Sequence, residues 1–525
     1  MPLIALITRK RWFSVTLIGL VAFVGSAAVG WVVEIREPEV PDEFSYLLAA
    51  DTFSHGRLTN PAHQMWVHFE NFHIIQQPTY MSKYPPAQGL ALAAGQVIGG
   101  HPIVGVWLSF GFMCATICWM LYAWVGPRWA LFGGFLALIN PMLGVASYWA
   151  QSYWGGAVAA TGGALVLGGI RRLMRQPHLH HALLVGVGLA ILANSRPYEG
   201  LLFSLPAGIF LLAWILGKRG PAPMVSIQRI GLPILLVLCT AGLAMAFYNF
   251  RVTGDVFRTP YQVHEETYAM APLFLWQSPR PEPAYHHEDL RHFYMQYNLS
   301  LYYLEYSIFG FLLKTLFFLR KFTVYFFNVF AIPLIAMFVL FFRWAWRNQW
   351  ARFALILYGF FMCGMLLPVF WATHYLAPIT GLNYFFIVSA MRLWRWRRKE
   401  VGWLMLWIVP FLAVLVLLMS VYKTTRQDRS LAWQVQRAKL LAQLKREGGQ
   451  HLVIVSYSSK GVAYPLWEYN EADFDEAKVT WARGMDRVQN CKLMEYFKNR
   501  HIWFLEIHGD QSKPKLKLYP AKLCQ

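Results

Sequence analysis

Two adjacent carboxylates, Asp42 and Glu43, stand in the segment PDEFSYLL, directly after the first long apolar run. A carboxylate held at a fixed position can take the proton of an attacking hydroxyl, which is the work of a general base. Phe44, Leu47 and Leu48 follow at helical spacing, so the pair opens an amphipathic helix, where it equally suits the dipole of a helix N-terminus. Further along come His68, Glu70 and His73, residue types that ligate divalent metals and that also sit well in a solvated loop. Lys83-Tyr84-Pro85-Pro86 closes the same segment. A second group, NSRPYEG, holds Arg196 and Glu199 at the junction of two apolar segments. A charge at bilayer depth costs about 3 kcal/mol on insertion scales, so two retained there point to mutual pairing or to an aqueous cavity. In a cavity, a guanidinium makes bidentate contacts with phosphate oxygens. The stretch SYWAQSYW (147–154) adds Tyr148, Trp149, Gln151 and Tyr153, whose rings and amide suit a sugar and equally suit an interfacial aromatic belt.

The elements that must hold these residues are membrane helices. Of 525 residues 57% are hydrophobic and only 14% charged, which excludes a water-soluble globule. Lys plus Arg is 47 against 27 for Asp plus Glu, a net +20, yet the basic residues punctuate the apolar runs in small clusters instead of forming one patch. The charge therefore reports membrane topology and not nucleic-acid binding. Apolar runs near 12–33, 103–124, 129–148, 154–170, 181–194, 200–217, 229–249, 322–342, 352–371, 375–391 and 401–420 predict about eleven transmembrane helices.

Basic connections alternate with acidic and aromatic ones. The first kind comprises Arg9 to Arg11, Arg128, Arg171 with Arg172 and Arg175, Lys218 with Arg219, Arg343 with Arg347, and Arg392 through Lys399. The second comprises residues 34–102, 149–153, 195–199, 250–321 and 372–374. Retention of Lys and Arg on the cytoplasmic side places the N-terminus inside and the second set, with the C-terminus, outside. Two apolar pieces read as helices lying on the outer surface: 85–99, which is short and opens with Pro85-Pro86, and 302–318, which contains Lys314.

Beyond Lys423 the pattern changes to a helix (428–447), strands at 451–457, 478–481 and 501–507, and a helix at 489–499, which makes a small α/β module. Cys491 and Cys524 fall in this module and could pair outside the cytoplasm, whereas Cys114, Cys118, Cys239 and Cys363 lie in apolar spans. The fold class is thus a polytopic α-helical membrane domain (1–422), with a first extracytoplasmic loop at 34–102, followed by a small extracytoplasmic α/β domain (423–525).

In these features the chain resembles the GT-C superfamily of membrane glycosyltransferases, particularly protein O-mannosyltransferases and lipid A aminoarabinose transferases. The resemblance rests on Pro41-Asp42-Glu43 directly after the first span, a long outer loop with surface helices, and Lys83 before the closing prolines, and it covers roughly residues 10–250. It implies an inverting transfer of a sugar from a polyprenyl-phosphate donor to a hydroxyl on a glycan, lipid or protein acceptor. The reaction would take place at the outer face of the plasma membrane, in bacteria the inner membrane. By position Asp42 is the base, with Glu43 beside it, and Lys83 and Arg196 stabilise the departing lipid phosphate. Glu199, Tyr148 and Gln151 join in substrate binding. His68, Glu70 and His73 are the ligands if a divalent metal takes part. The second acidic residue that many members carry after the third span is not evident, since SYWAQSYW stands there. The alternative is a transporter or lipid flippase, which would place broken helices near the midplane in repeated halves. No repeat is evident here, and the polar residues collect at one face.

Overall fold

The computed structural model describes residue 8 and residues 10–218, 220–336, 338–457, 467–507 and 514–519; Arg9, Arg219 and Cys524 fall outside them. Prolines mark where many helices begin. Without an N–H, proline sits well at the first helical position, where no intrahelical acceptor exists. After α1 (Arg11–Val32), such prolines open α2 (Pro41–Ser54), α3 (Pro86–Gly99), α4 (Pro102–Trp124) and α5 (Pro127–Ile139). The chain continues through α6 (Ala157–Leu173) and α7 (Leu179–Ser195) to α8 (Pro197–Leu216), α9 (Leu232–Thr253) and α10 (Pro260–Tyr268). Then come α11 (Ile308–Phe322), α12 (Gln349–Gly364), α13 (Thr380–Arg397) and α14 (Lys399–Arg426).

Among the described residues, seven stretches are long and apolar enough to cross a bilayer: α1, α4, α8, Pro223–Thr253 around α9, Ile308–Ile335 starting with α11, Thr373–Arg397 ending with α13, and α14. This is a multi-pass membrane protein. The remaining expected segments are helical but shorter, with 13 residues in α5, 17 each in α6 and α7, and 16 in α12. The run expected at 129–148 stops being helical after Ile139, because Pro141 disfavours helix at Asn140 and the Asn140 side chain accepts from the amides of Met142 and Leu143. Residues 302–318 depart from the expected surface helix. The chain breaks at Ser307, and Ile308 starts one of the seven long stretches. Lys314 within it has its ammonium 2.5 Å from Glu305 Oε2, and the pair is buried.

By contrast α3, with 14 residues, is too short to cross and packs on α4. A Cβ on Gly95 would lie 1.9 Å from the Gly105 nitrogen, so only glycine allows the two backbones to touch there. A small antiparallel sheet precedes α3, with β1 (Asn60–Pro61) and β2 (Ile74–Ile75) flanking β3 (Thr79–Ser82). Lys83 follows β3 directly and is thereby held between sheet and helix.

The tail contains α15 (Trp433–Arg446), β4 (His451–Tyr457), β5 (Val479–Arg483), α16 (Arg487–Tyr496), β6 (His501–Ile507) and β7 (Lys515–Leu518). β4 is central and pairs in parallel with β5 and β6, while β7 adds an antiparallel edge on β6. Cys491 is disulfide-bonded, and Cys114, Cys118, Cys239 and Cys363 are free.

This module sits on the first loop. The Tyr469 ring stacks on Phe44 at 4.1 Å, the Ala472 amide donates to Asp51 Oδ2 at 2.7 Å, and the Tyr469 hydroxyl donates to the Phe72 carbonyl at 3.0 Å. One apolar core joins Phe44, Phe69 and Phe72 to Leu452 and Phe474. Loop and tail therefore pack on one another through a shared apolar core.

Candidate functional site

At the start of α2 the chain turns so that its two carboxylates part company. Glu43 is buried and accepts from the amides of Glu39 (2.7 Å) and Val40 (3.3 Å) through Oε2, and from the Tyr153 amide (3.1 Å) through Oε1. It fastens the entry of α2 to the turn before α6. Burial raises its carboxyl to about 7 against the pull of these amide donors. Asp42 keeps 20% of its side chain exposed; it receives the Tyr84 hydroxyl on Oδ1 at 2.5 Å and has His73 Nε2 3.9 Å from Oδ2. Burial and the neighbouring Asp42 keep the Tyr84 phenol protonated, so it remains a donor. Burial, then Lys83 and His264, push His73 well below its ordinary value, so its ring is neutral.

The Glu43 environment yields a stability prediction. In Glu43→Gln one accepting oxygen becomes a carboxamide NH2 group, a donor facing backbone amide donors, and a buried amide left unpaired costs about 1–3 kcal/mol. The wild-type carboxyl, whose value rises from 4.5 to about 7 on folding, binds more protons folded than unfolded across that window. Its contribution is therefore full below pH 4.5 and declines up to pH 7. Thermal unfolding of Glu43→Gln should show a deficit that is largest near pH 4.5 and shrinks toward pH 7.

Tyr84 also lines a cavity of about 380 Å³, together with Lys83, Arg196, Glu199, Tyr261 and Tyr375. The cavity is built at three junctions: the β3–α3 connection brings Lys83 and Tyr84, the α7–α8 corner brings Arg196 and Glu199, and α10 brings Tyr261. Arg196 ends α7 and precedes Pro197 of α8, and its guanidinium lies 4.3 Å over the Tyr375 ring. It forms no ion pair within 4.0 Å among the described residues, and of the two readings, mutual pairing or a cavity, both Arg196 and Glu199 line the cavity while still acting on each other through space. Lys83 is buried, 3.5 Å from Glu265 Oε1, with its ammonium 4.8 Å over the Tyr261 ring. Burial alone would raise Glu265, but Lys83 and His264 hold it below the ordinary carboxylate value.

Sequence reading passed over His264 and Glu265, although a signal was present. Tyr261, His264, Glu265 and Tyr268 have i, i+3, i+4, i+7 spacing, and Thr259 with Gln262 forms a capping box ahead of them. His264 Nδ1 lies 3.4 Å from Glu265 and its Nε2 3.2 Å from the Tyr294 hydroxyl. Burial, then Lys83, depress this histidine from 6.5 to about 4, so unfolding favours its protonation and its share of stability is lost as pH falls through that interval. Protection of the amides across residues 260–268, measured relative to the intrinsic exchange rate at each pH, should fall from pH 6.5 to 4 in the parent, and the fall should be blunted in His264→Gln.

Other expected site residues are placed elsewhere. Gln151 is buried and spends its amide on the carbonyls of Ser26 (2.9 Å) and Val145 (2.8 Å), which makes it a brace between α1 and the turn before α6. The Tyr148 hydroxyl bonds Thr373 at 2.7 Å, in an aromatic cluster with Trp154 and His374 outside the lining of this cavity. His68, Glu70 and His73 diverge. His68 Nδ1 bonds the Arg483 carbonyl at 2.8 Å; Glu70 accepts from Tyr268 and lies 2.9 Å from His286; His73 faces Asp42. No group of three or more His, Cys, Asp or Glu among the described residues could hold a metal ion. The reason is local backbone: Trp66–Phe69 forms a 3₁₀ turn and His73 has φ +62°, so neighbours in sequence point to different partners.

No family model matches the chain, and no curated protein matches it. Among solved structures, the chain is similar to the apo crystal structure of ArnT from Cupriavidus metallidurans, at 14% identity and a TM-score of 0.49, over 83% of this chain and 82% of that one. It is also similar to the Archaeoglobus fulgidus oligosaccharyltransferase in complex with zinc and sulfate, at 11% identity and a TM-score of 0.48, over 83% of this chain and 60% of that one.

Proposed function

We propose that this protein is an inverting GT-C-type glycosyltransferase that moves a sugar from a polyprenyl-phosphate donor to a hydroxyl acceptor at the outer face of the plasma membrane. The observation that carries the reading is one cavity holding an unpaired guanidinium, Arg196, and a buried ammonium, Lys83, with the carboxylate Asp42 tied to its wall through Tyr84. A lipid phosphate leaves as an anion, and cations already in place stabilise the charge as it develops. Asp42 Oδ1 is occupied by Tyr84, and Oδ2 lies 3.9 Å from the neutral imidazole of His73. Oδ2 is thus the atom to receive the acceptor's proton while the hydroxyl oxygen attacks the anomeric carbon and the phosphate departs from the opposite face. Tyr84 orients the carboxylate, and Glu199 lies within reach of the bound headgroup.

The test is transfer of labelled sugar by the purified full chain from a panel of polyprenyl-phosphate hexoses and pentoses to acceptors extracted from the envelope. Transfer with inversion at the anomeric carbon is the expected result. Binding of polyprenyl phosphate without transfer from any donor, coupled to its movement between leaflets in vesicles, would favour a flippase instead.

A further inference from the structure

Two lysines stand two turns apart on the long stretch Ile308–Ile335, and both line a second groove of about 540 Å³. Lys314 is neutralised by Glu305. Lys321, the fourteenth of the 28 residues, has no carboxylate partner among the described residues; what surrounds it is aromatic, with Phe317 at 5.3 Å and Tyr325 at 5.7 Å from its ammonium to the ring centres. An unpaired cation along a membrane-crossing stretch is retained where an anion meets it. Apart from Glu305, which Lys314 neutralises, and Thr373, the rest of the groove is lined by apolar and aromatic side chains, and Leu304, Leu313 and Phe317 are exposed by 54%, 46% and 51% on its rim. Phe370 lines both this groove and the Arg196 cavity, so the two are neighbours separated by the segment that carries it.

From this juxtaposition we infer that the groove is a docking site for one anionic phospholipid, its phosphate on the Lys321 ammonium and its chains along Phe317 and Leu313. A free phosphate would leave the apolar walls unused, and a neutral lipid would leave the cation uncompensated. The site is separate from donor binding at Arg196 and does not depend on the sugar-transfer reading.

The experiment measures lipid retention by the purified full chain, using native mass spectrometry with phosphatidylglycerol and phosphatidylcholine of equal chain length. The parent should prefer phosphatidylglycerol, Lys321→Gln should lose roughly fivefold of that preference, as expected for one basic residue at an anionic headgroup, and Lys321→Arg should keep it. Arg196→Ala should also keep it. Thermal unfolding checks that each variant is folded. The proposal is overturned if the parent shows no preference, if Lys321→Gln retains it, or if the preference disappears with Arg196→Ala instead. It is likewise overturned if inorganic phosphate alone displaces the phosphatidylglycerol.

Discussion

Asp42→Asn should abolish sugar transfer, with a rate loss of about 10² to 10⁴, the usual contribution of a positioned general base. The substitution is nearly isosteric, and the amide oxygen can still accept from the Tyr84 hydroxyl that now meets Oδ1 at 2.5 Å. The variant should therefore unfold at close to the parent temperature in detergent, which separates lost chemistry from lost structure. Glu43→Gln is the informative partner, since its carboxylate is committed to three backbone amides. It should lose stability yet transfer sugar at a near-parent rate per folded molecule. Parent-like transfer by folded Asp42→Asn would remove the base from this position, and the reverse pattern between the two variants would move it to Glu43.

Arg196→Ala should weaken binding of polyprenyl phosphate by about 10- to 100-fold, the range for losing hydrogen bonds to a charged group. Arg196→Lys should recover only part of that loss, because an ammonium keeps the charge but not the planar fork. Among the described residues the guanidinium has no carboxylate within ion-pair distance; it lies over the Tyr375 ring and shares a side-chain hydrogen bond with that tyrosine. Binding of a short-chain polyprenyl phosphate, followed by tryptophan fluorescence of the purified protein, reads both variants without requiring turnover. If Arg196→Lys binds as tightly as the parent, the bidentate contact is absent; if Arg196→Ala does so too, the phosphate is held elsewhere.

How much of this was legible beforehand differs by kind of residue. Asp42, Lys83 and Arg196 each sit where an apolar segment gives way to a connection, so the ends of the helices announce them. Lys83 and Arg196 line one cavity, and Asp42 is joined to its wall through Tyr84. Glu265 and His264 were harder, because they reach Lys83 across some 180 residues and nothing local links them. The division of labour between Asp42 and Glu43 depends on the turn before α2, where the Glu39 and Val40 amides capture one carboxylate and leave the other. His68, Glu70 and His73 show the opposite failure: suitable residue types, close in sequence, are scattered by an irregular backbone. Lys314 misled for a related reason, since its partner Glu305 lies on the preceding helix and only the fold neutralises it.

The docking of the tail on the first loop sets an order of assembly. Residues 34–102 leave the membrane early in synthesis, yet part of their apolar core is supplied by Leu452, Tyr469 and Phe474, which are translated nearly four hundred residues later. Contacts so distant in sequence form slowly, because a long intervening stretch of chain must first be laid down and closed. Until then Phe44, Phe69 and Phe72, in the loop that begins with Asp42, remain uncovered and prone to improper association. Completion of the first loop's core is thus a late event in biogenesis, and a chain cut short before its last hundred residues would leave that core without its second half.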